Sequence, residues 1–460
     1  MSKTISLFLL SFLFIAVTYA QPKEASFKFQ NKTRTFIIYT PPNFQPEENL
    51  PLVINMHPFV GSAAGQMNYT KYNRLADTAR CIVVYPNGLG GRWNSGTFFG
   101  ISSNVDDVGF LARLIDYMTI FYRIDTKRVY STGYSAGGFM SYKLACELTN
   151  RIAAIAPVAA SMVPEGNFDN CYPSRPFPIL AINSVNDPVT MYNGFASVTP
   201  IDDVMELWQQ INGCDVQPNV EAVPNSVQND GSTVERITYQ NCENSELILL
   251  KQYGAGHTWP GAVNTFIVGN TNQDISANAE SWNFFKRHSI PDELLCDEPV
   301  NLVYSNEDVV LNLSWSPVSG AEFYTLFGQW PNGEIFYFEN ISSNSIQIPI
   351  QQEGVFKWAV SAECSSGHVN WSEIKESTVT GRIAASTLQV YPNPASSEIN
   401  LVLSHENANS NYVIVDVFGA IKLAGQFNAQ QERIQIGSLP SGWYTLSILN
   451  HSQKANFYKK

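Results

Sequence analysis

Between about residue 27 and residue 290 the chain alternates short, almost wholly apolar runs with longer stretches of helical period. Residues 51–56, 81–85, 128–132, 177–183 and 247–253 read as strands, rich in Ile, Val, Leu and Tyr and too short for helices. Between them Val108, Leu111, Ile115, Met118 and Tyr122 recur at helical spacing, and residues 139–145 and 204–208 are also helix-like. Strands that alternate with helices predict an α/β sheet. After residue 290 the helical stretches vanish, and β-type runs such as 313–318, 323–326 and 356–360 recur between Ser, Asn and Gly clusters to the end of the chain. That half is predicted to be all-β.

One junction in the first half carries chemistry. Gly133-Tyr134-Ser135-Ala136-Gly137 lies where the strand at 128–132 meets the helix that begins near Phe139. This is the setting of a nucleophile elbow, in which small residues two before and two after a serine let strand and helix pass closely and expose its hydroxyl. A pentapeptide alone is weak, so its partners decide. A serine hydroxyl needs a histidine base, itself oriented by a carboxylate, and α/β-hydrolases supply these in the order Ser, Asp, His.

Of six histidines, only His57, His257 and His288 fall in the α/β part. His257 is the candidate base, because Gly254-Ala255-Gly256 puts it on a sharp loop directly after the strand at 247–253, at the end where open α/β sheets carry their sites. The alternative for an isolated histidine is a surface loop residue. Asp187 is the candidate acid, on the loop after the strand at 177–183, and the alternative there is a turn-forming Asp before Pro188. Asp202 and Asp203 are rivals, but they directly precede a helix and suit capping it or favouring its positive end. Asp125 lies before the serine strand, in the wrong order.

The oxyanion of acyl transfer needs two backbone donors, one from the residue after the nucleophile and one from the loop after an early strand. Ala136 supplies the first. The strand at 51–56 runs into His57-Pro58-Phe59-Val60-Gly61, and Phe59 is the natural second donor because Pro58 has no N–H. His57, at an early strand end, is expected to hold this loop rather than to act as base. Asp106-Asp107 opens the helix at 108–122 and reads as an N-cap rather than a second acid/base couple.

These motifs, together with Asp106-Asp107-Val108-Gly109-Phe110-Leu111, Ala153-Ala154-Ile155-Ala156-Pro157-Val158-Ala159 and Gly256-His257-Thr258-Trp259-Pro260-Gly261, resemble the secreted polyhydroxybutyrate depolymerases and feruloyl esterases of the first carbohydrate esterase family. The resemblance covers residues 27 to about 290. It implies an α/β-hydrolase domain with Ser135 as nucleophile, Asp187 as acid and His257 as base. The chain departs from the family pattern at His57-Pro58, where His-Gly is usual, at Asn183-Ser184, where His-Gly is common, and at Ala136, where Asn is frequent. Trp93 and Trp259, on loops beside these motifs, are candidates to stack on a sugar or phenolic ring, with core packing as the alternative. No cofactor and no metal is called for, since no His, Cys and carboxylate cluster has ligand spacing.

At 460 residues, 44% of them hydrophobic, the chain is long enough for two or three packed domains. Its formal charge of −12 argues against nucleic acid or an anionic membrane surface as partner. Residues 1–20 read as a signal peptide: Lys3, an apolar stretch from Ile5 to Val17, and Thr18-Tyr19-Ala20 before the cut. The mature chain is expected to be exported, without an integral membrane segment. Export makes disulfides plausible for the seven cysteines. The family resemblance pairs Cys214 with Cys242 and Cys146 with Cys171, whereas Cys296 and Cys364 bracket a separate domain and could close it. Cys81, in an apolar strand, is left over.

The expected architecture is therefore an esterase domain at 21–291 followed by two small all-β sandwiches. Residues 296–381, with Trp315, Trp358 and Trp371-Ser372, resemble a fibronectin type III sandwich, either a spacer or a polysaccharide binder. Residues 387–460, with Val390-Tyr391-Pro392-Asn393-Pro394, Asp416-Val417-Phe418-Gly419 and Leu439-Pro440-Ser441-Gly442-Trp443-Tyr444, resemble the sorting domain of type IX secretion substrates; a carbohydrate-binding module is the alternative. That resemblance implies secretion machinery as a partner and release or attachment at the cell surface. The expected activity is hydrolysis of a polymeric extracellular ester, either a feruloyl or acetyl ester of plant polysaccharide or a polyhydroxyalkanoate. The rival is a noncatalytic polysaccharide-binding protein built on an esterase scaffold.

Overall fold

The first half builds one ten-stranded sheet, whose strands include all five apolar runs. In chain order they are β1 (Lys23–Phe29), β2 (Lys32–Tyr39), β3 (Leu52–Met56), β4 (Ile82–Pro86), β5 (Val129–Tyr134), β6 (Ala154–Val158), β7 (Ile179–Ser184), β8 (Asn219–Ala222), β9 (Thr233–Tyr239) and β10 (Leu247–Tyr253). They lie side by side as β1-β2-β4-β3-β5-β6-β7-β10-β9-β8. The centre from β4 to β10 is parallel, whereas β2, β9 and β8 join antiparallel at the flanks. Every residue of β3, β4, β5, β6 and β7 is buried, which is why these runs show no apolar/polar alternation.

The computed structural model describes residues 22–30, 32–96, 104–263, 268–307, 310–350, 352–380, 388–391, 393, 395–402, 411–416, 418, 420–427, 431–449 and 454–460. The expected signal peptide lies outside the described residues. Two compact units divide the chain: Arg34–Ile290 with the described residues up to Ser26, and Pro291–Lys460 with the hairpin tip Phe27–Thr33.

Six helices complete the first unit's description: α1 (Ala63–Thr70), α2 (Tyr72–Ala79), α3 (Asp107–Tyr122), α4 (Ala136–Glu147), α5 (Ile201–Ile211) and α6 (Ala277–Phe285). Asp106 caps α3 by accepting from the Gly109 amide at 2.7 Å, as expected. Asp107 does something the sequence did not suggest. Its carboxylate is buried, 2.6 Å from Arg34 of β2, and also accepts from the Asn94 amide, so it ties β2 to the loop after β4. The α/β-hydrolase arrangement follows from this order of strands and from α4, which starts one residue after β5 and packs along β3, β5 and β6.

The second unit is all-β. A three-stranded sheet of β11 (Val303–Glu307), β12 (Val310–Ser314) and β15 (Ser345–Pro349) shares one core with a sheet of β13 (Ala321–Gln329), β14 (Ile335–Ile341), β16 (Gly354–Cys364), β17 (Val369–Trp371) and β18 (Lys375–Val379). Leu311, Leu313 and Ile348 from the first sheet meet Leu326, Phe356 and Trp358 from the second. A further sandwich follows. Its sheets are β19 (Gln389–Tyr391), β20 (Glu398–Val402) and β23 (Gln431–Gln435), and β21 (Asn411–Asp416), β22 (Ile421–Gln426), β24 (Gly442–Ile448) and β25 (Lys454–Lys459), closed over Ile399, Leu401, Ile414, Leu446 and Phe457.

Three disulfides form, Cys146–Cys171, Cys214–Cys242 and Cys296–Cys364, and Cys81 is a buried free thiol. Burial pushes that thiol's pKa well up, so it stays a neutral, unreactive core group.

Candidate active site

Ser135 occupies a turn that an ordinary residue avoids, with φ 53° and ψ −119°, between the end of β5 and the first residue of α4. Two glycines make the turn possible. A Cβ on Gly133 would lie 2.5 Å from the Gly137 carbonyl oxygen, and one on Gly137 would lie 2.6 Å from the Met56 carbonyl carbon, with the oxygen closer still. Strand, helix and the end of β3 thus touch backbone to backbone, a contact only glycine permits. The strained serine is held by its neighbours, since its amide donates to the Val158 carbonyl of β6 at 2.9 Å and its own carbonyl accepts from Gly138 and Phe139.

The Ala136 amide stands at the N-terminus of α4, one of the first helical amides, which have no partner inside the helix. Phe59 lies on the loop after β3, the strand whose last residue, Met56, closes on Gly137 at this helix end. The loop is fixed by the segment after β4: His57 Nε2 accepts from the Gly88 amide at 2.9 Å, the Trp93 indole donates to the His57 carbonyl at 2.9 Å, and the Val60 amide donates to the Gly91 carbonyl at 2.7 Å. The His57 Nδ1 faces the Pro58 carbonyl at 2.8 Å, which sets its proton there. Burial lowers the His57 pKa, and the neutral ring is a bracket for the loop, as expected.

His257 sits after β10 and Asp187 after β7, strands that run parallel as neighbours. The His257 Nδ1 lies 2.7 Å from Asp187 Oδ2, and both side chains are buried. The other carboxylate oxygen, Oδ1, accepts from the amides of Val189 and Thr190 at 2.8 Å each, so the carboxylate is aimed by its own loop. Asn186 Oδ1 accepts from the Gly254 amide and Ser184 Oγ donates to the Ala255 carbonyl, which staple the acid loop to the base loop. The Asn183 side chain, where the family pattern has His, donates to the Ala160 carbonyl at 2.9 Å.

Tyr134, the residue before Ser135, donates from its phenol to the His257 carbonyl at 2.5 Å and lays its ring 5.0 Å from the imidazole. Tyr69 flanks Tyr134 at 5.4 Å and accepts from the Trp259 amide. Burial raises both phenol pKa values, which keeps them protonated. Their role was not legible from spacing, although Tyr134 sits inside the pentapeptide. Among the described residues no hydrogen bond joins the His257 ring to Ser135 Oγ, and in unliganded hydrolases that bond is often long.

Two expectations need correction. Trp93 and Trp259 are not open stacking platforms. Trp93 is 6% exposed, against His57, and Trp259 is 1% exposed with its indole donating to Asn278. Both rings serve the framework of the loops they lie on. Nor does Asp202 cap α5, whose N-cap is Pro200; it accepts from the Tyr192 phenol at 2.5 Å instead, and with Asp203 it lies in the first turn, near the positive end of the helix. Asp125 accepts from Arg128 and the Lys127 amide, away from this chemistry.

Residues 389–460 match the family described as secretion system C-terminal sorting domain. The chain is 30% identical over 272 residues to feruloyl esterase B of Piromyces equi, covering 56% of this chain and 46% of that protein. It is 29% identical over 230 residues to the bifunctional acetylxylan esterase/xylanase XynS20E of Neocallimastix patriciarum, covering 50% of this chain and 31% of that one. It thus spans less than half the length of either relative. The solved acetyl xylan esterase from Aspergillus awamori is 18% identical with a TM-score of 0.40, over 55% of this chain and 94% of that one. The chain is therefore similar over about half its length to feruloyl and acetylxylan esterases and carries a C-terminal sorting domain of type IX secretion, which makes it a secreted or cell-surface protein.

Proposed function

We propose that this protein is a serine esterase that hydrolyses ester groups on extracellular polysaccharide, with Ser135, His257 and Asp187 as its triad. The observation that carries the reading is the buried 2.7 Å contact of His257 Nδ1 with Asp187, beside a serine in a strained strand-to-helix turn. With its Nδ1–H donating to the Asp187 carboxylate, His257 keeps Nε2 free as a base. It takes the Ser135 proton as Oγ attacks the ester carbonyl. The Ala136 and Phe59 amides receive the oxyanion. His257 then returns the proton to the leaving alcohol oxygen, and the acyl group stays on Ser135. Water attacks the acyl-enzyme by the same route and releases the acid.

The feruloyl and acetylxylan esterases among the similar proteins favour a feruloyl or acetyl ester over a polyhydroxyalkanoate. Residues 21–291 form the esterase domain in this reading. Residues 296–381, with three strands facing the β13 to β18 sheet, form a fibronectin type III-like spacer, and residues 387–460 engage the secretion machinery. Acid release from p-nitrophenyl acetate, methyl ferulate, acetylated xylan and hydroxybutyrate oligomers, with Ser135→Ala as control, tests the proposal. Serine-dependent release from the first three supports it; folded protein inert on every ester overturns it.

A further inference from the structure

The loops that frame Ser135 also wall a second depression that the triad does not use. A cavity of about 330 Å³ opens at the β1-β2-β4 side of the sheet. Its polar lining comes from Glu24, Ser26, Thr35, Ser62 and Asn87, over a floor that includes Phe36. Ser62 follows the oxyanion loop directly and caps α1, and Asn87 follows β4 and precedes Gly88, which donates to His57. Along the sheet the cavity lies two to three strand spacings from β5, on the order of 10–15 Å, and at the same carboxyl end of β4.

The lining is fixed before any ligand arrives. Asn87 Oδ1 accepts from the Ala63 amide at 2.7 Å, and its Nδ2 donates to Thr35 Oγ1 at 2.9 Å. Ser62 Oγ accepts from the Gly65 amide at 3.1 Å. Each of these groups spends one hydrogen-bonding capacity on the protein and retains another: the Thr35 and Ser62 hydroxyl protons and the second Asn87 amide proton are left to donate to a ligand's acceptors, and the Glu24 carboxylate offers acceptors to its donors. A ligand that donates and accepts through adjacent hydroxyls matches this set. Glu24 is the single ionisable group of the lining, so anions are disfavoured, and the volume is at the small end for ligand sites.

We propose that this cavity is a subsite for a neutral sugar unit of the polysaccharide whose ester is cleaved at Ser135, an inference that rests on the esterase reading. Its position fits a substrate chain that crosses the exposed Phe59 and Val60 of the oxyanion loop on the way from one site to the other.

Ala64, exposed on α1 at the cavity wall, allows a test by filling, and Glu24 a test by removing the acceptor. Ala64→Trp and Glu24→Ala are compared with the unaltered chain on methyl ferulate and on a feruloylated xylo-oligosaccharide. Both variants should lower kcat/KM for the oligosaccharide ester about three- to tenfold relative to that for the small ester, mainly through KM. Equal changes on the two substrates would overturn the subsite. Binding of unesterified xylo-oligosaccharide to Ser135→Ala protein, followed by NMR titration, decides the point without turnover. Binding weakened by Ala64→Trp supports the proposal, whereas no binding, or binding indifferent to that change, overturns it even where the esterase reading stands.

Discussion

Gly137→Ala tests how the elbow is built. The added methyl would sit 2.6 Å from the Met56 carbonyl carbon and 2.9 Å from the Met56 Cβ, where ordinary contact begins near 3.4 Å. Both the helix and the strand are backbone at that point, so no side chain can swing away. Relief requires α4 and the end of β3 to part by close to an ångström. Overpacking of this kind costs about 1–3 kcal/mol, which for a unit of this size lowers Tm by roughly 2–10 °C. The chemical cost is larger. The two elements carry Ser135 with Ala136 on one side and the Phe59 loop on the other, so their separation opens the gap between nucleophile and second oxyanion donor. A misplacement of about 1 Å costs on the order of 10²-fold in rate. Steady-state kinetics on p-nitrophenyl acetate and a thermal melt followed by circular dichroism read both effects. A kcat within about twofold of the unaltered chain would refute the close contact and the two-donor reasoning together. Gly437→Ala, whose methyl would meet nothing nearer than 3.8 Å, is the control and should melt unchanged.

Asp187→Asn should keep the fold but lower kcat by about 10³- to 10⁴-fold, because an amide no longer selects the Nδ1-protonated ring of His257; an activity loss under tenfold would contradict this. Replacing Cys296 and Cys364 by Ala opens a link across a sequence separation of 68 and should cost the second unit about 4.4 kcal/mol in denaturant unfolding, against about 3.6 kcal/mol for Cys214 and Cys242, whose separation is 28. His57 has a folded pKa lowered below its ordinary 6.5 by burial, so the unfolded chain takes up the proton first. Its contribution to stability is therefore complete above pH 6.5 and is lost as pH falls below it, and His57→Gln should flatten the fall of Tm between pH 7.5 and pH 5.

The elements of the site that lie within one strand and its following loop were legible. Ser135, Asp187 and His257 each follow a continuous apolar run, and a parallel sheet brings such loop starts to one edge. The all-β half was legible for a similar reason, since its short runs are punctuated by Gly, Ser and Asn. What spacing could not reveal were contacts between distant segments. Arg34 on β2 and Asp107 at the start of α3 are 73 residues apart and meet only once the sheet has formed; Tyr134 reaches a carbonyl 123 residues on. The burial of Trp93 and Trp259 belongs to the same class. An indole beside a loop glycine reads as exposed until the neighbouring loop is known to close over it, as the His57 segment and Asn278 do here.

The central claim is that Ser135 is the nucleophile and His257 its base. Intact-mass spectrometry after incubation with a fluorophosphonate, followed by peptide mapping, tests it directly. One adduct per chain on the peptide containing Ser135, slowed strongly in His257→Ala and absent in Ser135→Ala, is the predicted result. A chain that stays unmodified, or that carries the label elsewhere while Ser135→Ala still turns over esters, would contradict it.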